Sequence, residues 1–158
     1  MKYFTLDELT RSETAKRRNI KNIPNEEQRL NLIALVGAVL DPLREKWGRP
    51  IIVTSGYRCV AVNKSVGGVT GSQHVKGEAA DIVTNGTWCD NYALGRLIVA
   101  MGNYDQVIFE NVGKGDLLPE WIHVSWKRTG DNRRNILKKV KGSKVYKRLT
   151  MQELGLCD

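Results

Sequence analysis

The chain has 158 residues, of which 41% are hydrophobic and 27% charged, and its net charge is +8. This length and composition predict one soluble domain spanning residues 1–158, and they exclude a disordered chain, a fibre and two full domains. The longest apolar-rich stretch, residues 30–43, is interrupted by polar residues and is too short to span a bilayer, so we expect no membrane insertion.

The first third of the sequence predicts two helices. Thr5 and Glu8 have the spacing of a capping box, which predicts a helix that begins near Leu6. Asn25 is a suitable N-cap for a second helix. Its apolar residues recur every three or four positions: Leu30, Ile33, Val36, Leu40, Leu43 and Trp47. We expect Pro42 to kink this helix or to start a new turn, and Gly48 to end it.

The rest of the chain predicts mainly strands. They are expected at residues 51–54, 79–83, 106–109 and 122–126, with one further helix at 90–101. Residues 55–77 are rich in Gly, Ser and Asn and predict a long functional loop without a regular element. This order of elements predicts an α+β fold with a small, largely antiparallel sheet flanked by helices.

The two histidines of the chain each lie close to a carboxylate in the sequence. Asp81 follows His74, with a glycine between them, and Glu120 precedes His123 by three positions. Two histidines and one aspartate supply three zinc ligands and leave a fourth position open, which is typical of catalytic zinc. The alternative is a structural role for each histidine, which is the commoner role of an isolated one.

Two charged residues suit catalysis beside such a metal. Glu120 follows a proline, which predicts that it lies in a loop from which its side chain can swing towards the metal. Arg58 opens the long loop. It is either a surface residue or a group in a cleft, where a guanidinium stabilises an oxyanion or binds a carboxylate.

Three motifs occur in order along the chain. They are Ser55-Gly56-Tyr57-Arg58, Ser72-x-His74-x-x-Gly77-x-Ala79-x-Asp81 and Glu120-x-x-His123. Together they resemble the zinc D-alanyl-D-alanine carboxypeptidase and endopeptidase family, whose fold is shared with the hedgehog signalling domain. The resemblance covers a peptidase-like catalytic core at residues 4–126, and the N-terminal part is similar to a compact subgroup common in bacteriophages and prophages.

The resemblance implies a site and a mechanism. His74, Asp81 and His123 bind one zinc ion, and Glu120 is the general base that moves a proton from zinc-bound water to the leaving amine. Arg58 stabilises the oxyanion and, with Ser72, contacts the substrate. The implied substrate is a peptidoglycan stem peptide, and both carboxypeptidase and endopeptidase action remain open.

The last part of the chain is strongly basic. Ten Lys or Arg residues and one acidic residue lie within residues 127–148. We read 127–158 as a basic C-terminal segment without a family motif. It either binds an anionic cell-wall polymer or is a solvated surface. Its single aromatic, Tyr146, and the lack of a recognition motif disfavour specific nucleic-acid binding.

The N-terminal sequence and the cysteines bear on where the protein acts. No apolar signal-peptide core follows Met1, so we expect synthesis in the cytoplasm without a signal peptide. Cys59, Cys89 and Cys157 have no disulfide or zinc-site spacing. We therefore expect a monomeric endolysin that reaches the wall after membrane permeabilisation or from a virion. The alternative is a non-catalytic, metal-stabilised cell-wall binding module of the same fold, against which the intact Glu120 and Arg58 count.

Overall fold

A computed structural model describes residues 1–157, in which six strands form one sheet with helices packed against it. The helices are α1 (Leu6–Thr10), α2 (Glu13–Arg17), α3 (Glu26–Leu35), α4 (Asp41–Trp47), α5 (Val60–Ser65) and α6 (Trp88–Met101). The strands are β1 (Ile51–Ser55), β2 (Ala79–Thr84), β3 (Gln106–Val112), β4 (Trp121–Ser125), β5 (Asn135–Val140) and β6 (Tyr146–Arg148).

The strand order across the sheet is β1-β2-β4-β3-β5-β6. All neighbouring pairs are antiparallel except β3 and β5, which run parallel. This arrangement confirms the predicted α+β fold with a largely antiparallel sheet. None of the helices in the described part of the chain has the length and apolar character needed to cross a membrane.

The N-terminal helix has the predicted capping box. The Glu8 backbone N–H donates to the Thr5 hydroxyl (3.2 Å), and the Thr5 N–H donates to the Glu8 carboxylate (2.8 Å). Two of the unpaired donors at the start of α1 are thereby satisfied. Helix α2, which was not predicted, begins at a second cap, where Ser12 accepts from the Ala15 N–H.

The predicted second helix is divided in two before Pro42. A π-helical turn, Val36–Leu40, lies between α3 and α4. Pro42 has no N–H to donate to the carbonyl of Ala38, and the side-chain amide of Asn103 donates to that carbonyl instead (2.9 Å). Gly48 ends α4 in the left-handed conformation, with φ 73°. Both the interruption and the end of the helix agree with the prediction.

The loop predicted over residues 55–77 contains a helix, so the expectation of no regular element there was wrong. Helix α5 consists largely of residues with low helix propensity, two of them valines. Its stability comes from tertiary contacts, because Val62 is buried in the core and the buried Asn63 amide donates to the Val69 carbonyl (3.0 Å). Local sequence preference gives no sign of either contact.

One face of the sheet packs against the helices and the other carries polar side chains. Ile122 and Val124 on β4 are fully buried in the core with Phe109 on β3. Gly95 on α6 permits this packing, because a Cβ there would collide with the Phe109 ring. His123 lies between the two core residues of β4 and therefore points to the opposite face.

The basic C-terminal segment contains two strands that the sequence analysis did not predict. β5 pairs with β3, and β6 pairs with β5 at the sheet edge. The fully buried carboxylate of Asp105 ties this segment to the sheet. It accepts from the Arg133 guanidinium (2.6 Å), the Arg133 backbone N–H (2.9 Å) and the Gln73 amide (2.8 Å).

Replacing Asp105 by Asn is expected to lower the free energy of unfolding by about 1–3 kcal/mol at pH 7, because charge-assisted hydrogen bonds to a buried group are lost. Burial alone raises the pKa of Asp105, but the hydrogen bonds from Arg133 and Gln73 outweigh it and hold the pKa well below its usual value.

A folded-state pKa below the unfolded one stabilises the protein at neutral pH, and this contribution is lost as the pH falls. The difference between wild type and Asp105→Asn in urea unfolding should therefore shrink as the pH falls below about 5. Asp131→Asn, at an exposed position, is the control and should have little effect. A difference that stays constant between pH 7 and pH 3 would contradict the assignment.

Candidate active site

Three side chains on the polar face of the sheet converge at one point. Asp81 on β2 and His123 on β4 are direct cross-strand partners, and His74 approaches from the loop before β2. Asp81 Oδ1 lies 3.2 Å from His74 Nε2 and 3.1 Å from His123 Nδ1, and the two nitrogens are 3.2 Å apart. Ligand atoms around a tetrahedral zinc ion with bonds of about 2.0–2.1 Å are about 3.3 Å apart. The triangle therefore fits one zinc ion and leaves a fourth position open.

Gly77 and Ser72 fix the loop before β2 and so position His74. Gly77 has φ 72°, and a Cβ at this position would collide with the carbonyl of Gln28, so glycine is required by both conformation and space. The Ser72 hydroxyl accepts from the His74 backbone N–H (3.3 Å). The Gly77 backbone N–H donates to the His74 carbonyl (3.3 Å), so the chain turns tightly between His74 and β2.

Hydrogen bonding fixes which nitrogen of His74 faces the triangle. His74 Nδ1 lies 2.7 Å from the carbonyl oxygen of Gly56. A carbonyl only accepts, so Nδ1 carries the proton and Nε2 presents its lone pair to a metal. His123 faces the triangle with Nδ1, and its Nε2 is buried without a hydrogen-bond partner in residues 1–157.

Charge in the site favours an ionised Asp81. Burial raises the pKa of Asp81, but the attraction of His74 and the hydrogen bond to His123 outweigh it and hold the pKa far below its usual value. The Arg58 guanidinium lies 3.8 Å from the other carboxylate oxygen. Burial lowers the pKa of Arg58, and Asp81 opposes this effect. Arg58 Nε has no hydrogen-bond partner within the described chain.

An open cleft of about 830 Å³ lies over the triangle. Its lining includes the three converging residues together with Arg58 and Ser72. Arg58 thus belongs to a cleft rather than to the general surface. The arrangement places a candidate metal site, a partly buried cation and an open cleft on the same face of the sheet.

The family model of peptidase M15 matches residues 2–125. The chain belongs to the peptidase M15 family. Members of this family depend on zinc, so the match and the side-chain triangle agree on a zinc metallopeptidase with a possible metal site at His74, Asp81 and His123. The search of curated proteins gave no match.

In this M15 peptidase, Glu120 does not point into the cleft. Its carboxylate accepts from Lys141 Nζ (2.5 Å) and from the Asn111 amide (3.1 Å). These two hydrogen bonds lower the pKa of Glu120. Glu120 lies just before β4, as its place after Pro119 predicts, and is not among the described residues that line the cleft. Its role as the base stays a prediction.

Another carboxylate, which the sequence analysis missed, does line the cleft. Glu110 on β3 pairs with Trp121 on β4 and is only 6% exposed. Its Oε2 is buried without a hydrogen-bond partner in the described residues, and burial raises its pKa. Asn111 beside it has φ 53°, and the β3–β5 register is irregular here. Such bulges often re-aim side chains next to active sites.

The signal for Glu110 was present in the alternation along β3. Gln106, Ile108 and Glu110 all line the cleft. The predicted strand stopped at residue 109, one residue short of Glu110. Extending it would have placed Glu110 on the same face as Ile108, which pairs with His123.

Cys59 lies near the cleft but takes no part in the triangle. Its backbone N–H donates to the Asn22 side chain (2.7 Å), and the thiol is free and partly buried against the core. The group of described residues that can hold a metal contains only the two histidines and Asp81.

Proposed function

We propose that this M15 peptidase hydrolyses peptide bonds in peptidoglycan stem peptides and acts as a phage or prophage endolysin. The observation that supports it most is the triangle of His74, Asp81 and His123, with sides of 3.1–3.2 Å, at the floor of an open cleft. A fourth, open coordination position is typical of catalytic rather than structural zinc.

The proposed mechanism divides the work among few side chains. His74, Asp81 and His123 hold the zinc ion, which when bound supplies Lewis acidity that lowers the pKa of water and polarises a carbonyl. A glutamate takes a proton from the attacking water and returns it to the leaving amine. Arg58, with its unpartnered Nε, stabilises the negative charge that develops on the scissile carbonyl oxygen.

Two glutamates are candidates for the general base. The resemblance assigns the role to Glu120, which in this structure is held by Lys141 and Asn111. Glu110 lines the cleft and has a free, buried carboxylate oxygen. A base must come within hydrogen-bond reach of the proton that it abstracts. We therefore propose Glu110 as the base. Glu120 would first have to break its hydrogen bonds with Lys141 and Asn111 before it could take this role.

The remaining parts of the proposal concern substrate and wall binding. Ser72 and Arg58 contact the substrate in the cleft. The exposed cations of the β5–β6 region, Lys144, Lys147 and Arg148, bind an anionic cell-wall polymer by charge attraction. The protein acts as a monomer on the wall, and specific nucleic-acid binding is not part of the proposal.

Digestion of purified sacculi tests the function. The zinc-loaded protein should release fragments with cut stem peptides, and a chelator should abolish this release, since the three ligands alone do not activate water. Mass spectrometry of the fragments identifies the bond and so distinguishes carboxypeptidase from endopeptidase action. Binding to sacculi from several wall types without any cleavage, with zinc present, would contradict the proposal and favour a binding module.

A further inference from the structure

The cleft extends beyond the part of the chain that the family model matches. The match ends at residue 125, yet Leu137 and Lys139 on β5 and Tyr146 on β6 line the cleft. β5 pairs with β3 and β6 pairs with β5, so the C-terminal segment forms one wall of the same cleft that contains the candidate metal site. Its cations are thus of two kinds, those inside the cleft and those outside it.

Lys139 lines the same cleft as the candidate metal site, on the wall formed by β5 and β6. Across β3, β5 and β6, the side chains of Ile108, Leu137 and Arg148 are neighbours in one row. Beyond this row the β3–β5 register is irregular, but Lys139 pairs with Tyr146 between β5 and β6, and both residues line the cleft together with Glu110. Lys139 Nζ lies 5.4 Å from the centre of the Tyr146 ring, which restrains the ammonium group over this part of the cleft.

Lys139 lines the cleft and, unlike Lys141 and Arg133, makes no ion pair in the described residues. Lys141 is paired with Glu120, and Arg133 is paired with Asp105. Within residues 1–157, no carboxylate lies within 4.0 Å of Lys139 Nζ, and this atom donates no hydrogen bond. A half-buried ammonium group beside a substrate cleft is therefore available to an anion from outside the chain.

We propose that Lys139, supported by Tyr146, forms a subsite that binds a carboxylate of the peptide substrate. This inference rests on the proposed function, because the ligand is taken to be a peptide cut at the metal site. A lysine ammonium is a compact point charge that can donate up to three hydrogen bonds to carboxylate oxygens.

Strand spacing limits where that carboxylate lies in the substrate. β5 is two strands from β4, which carries His123, and this corresponds to about 10 Å across the sheet. An extended peptide advances about 3.3–3.6 Å per residue, and the lysine side chain shortens the gap. The carboxylate is therefore one to three residues from the scissile bond. It belongs either to the C-terminus of the peptide or to an acidic side chain.

Calorimetric binding of three synthetic peptides tests the subsite. The probes are a stem pentapeptide with free carboxylates, the same peptide amidated at its C-terminus, and the same peptide amidated at its glutamyl carboxylate. Wild-type protein and Lys139→Gln are compared at low salt without zinc, which prevents cleavage during the titration, and cleavage by the zinc-loaded proteins is measured separately. Lys138→Gln is the matched control, because Lys138 is the next residue on β5, is registered with Phe109 and does not line the cleft.

We expect Lys139→Gln to weaken binding of the free peptide about tenfold, the size of a hydrogen bond to a charged group. For the wild-type protein, removing the recognised carboxylate should have the same effect as Lys139→Gln. The amidated peptide that binds about tenfold more weakly than the free peptide therefore identifies which carboxylate the subsite binds. Lys138→Gln should bind all three peptides as wild type does.

The other outcomes overturn the subsite or separate it from the function. Equal weakening of all three peptides by Lys139→Gln would mean that the lysine acts through Glu110 or through folding, and it would refute carboxylate recognition. The subsite would also be refuted if the wild-type protein bound both amidated peptides as tightly as the free peptide, or if it bound none of the three. Discrimination by the wild-type protein without any cleavage would keep the subsite and refute the peptidase proposal.

Discussion

Replacing Glu110 by Gln is expected to lower kcat by roughly 10²–10⁴-fold, the usual contribution of a general base. Glutamine has the same shape but cannot take a proton from the attacking water. Since Glu110 is not one of the three converging ligands, the zinc content of the variant should stay at one ion per chain. Stem-peptide cleavage and metal analysis of the same preparation measure the two quantities.

Glu120→Gln is the matched comparison, because it makes the same chemical change ten residues along the chain. Glu120 accepts from Lys141 and Asn111 through separate oxygens, and a glutamine can still accept one of these two hydrogen bonds. We expect kcat to change by no more than a few-fold. A large loss in Glu120→Gln together with an active Glu110→Gln would return the base assignment to Glu120.

A structural role for Glu110 has a different signature. Like Glu110 Oε2, His123 Nε2 is buried without a hydrogen-bond partner in the described residues. A carboxylate that accepts a hydrogen bond from a metal-binding histidine typically strengthens metal binding 10–100-fold. If Glu110 only oriented His123, Glu110→Gln would lower zinc affinity, and kcat would recover at saturating zinc. Recovery of this kind would contradict the role of Glu110 as the base.

Replacing Asp81 by Asn should abolish cleavage by removing bound zinc. Asp81 is the only carboxylate in the triangle, and its oxygen lies within 3.2 Å of both histidine nitrogens. The neutral amide is a poorer zinc ligand than a carboxylate. We expect the zinc content of the dialysed variant to fall below one ion per chain and its activity to fall in proportion.

Thermal unfolding gives an independent readout of the same change. Zinc at 100 times its dissociation constant stabilises a folded protein by about 2.7 kcal/mol. Added zinc should therefore raise the Tm of wild type and of Glu110→Gln but not that of Asp81→Asn. A zinc-dependent rise in Tm in Asp81→Asn equal to that of wild type would mean that the ion binds elsewhere.

Some helix ends were predicted correctly, because the residues that set them act on their immediate neighbours in the chain. The cap at Thr5, the interruption before Pro42 and the end of the helix at Gly48 follow from the backbone preferences of single residues. The convergence of His74, Asp81 and His123 was predicted from the resemblance to the family, and strand alternation was consistent with it.

What was missed depends on long-range contacts. The sequence around β5 is dominated by charge, because two lysines stand between the apolar residues Ile136, Leu137 and Val140, which pack only after β3 has formed. Helix α5 depends on the burial of Val62. Glu110 is the exception, because the alternation along β3 already points it to the cleft and it was missed only because the predicted strand ended at residue 109.

The parallel pairing of β3 and β5 bears on how the protein can be dissected. A chain cut after Trp126 would retain the matched family region but would remove the hydrogen-bonding neighbour of β3 and the Arg133 partner of the buried Asp105. β3 would become an open sheet edge, which invites pairing with other chains. The basic segment is therefore not a detachable anchor. Fusions and domain exchanges should treat residues 1–157 as one unit.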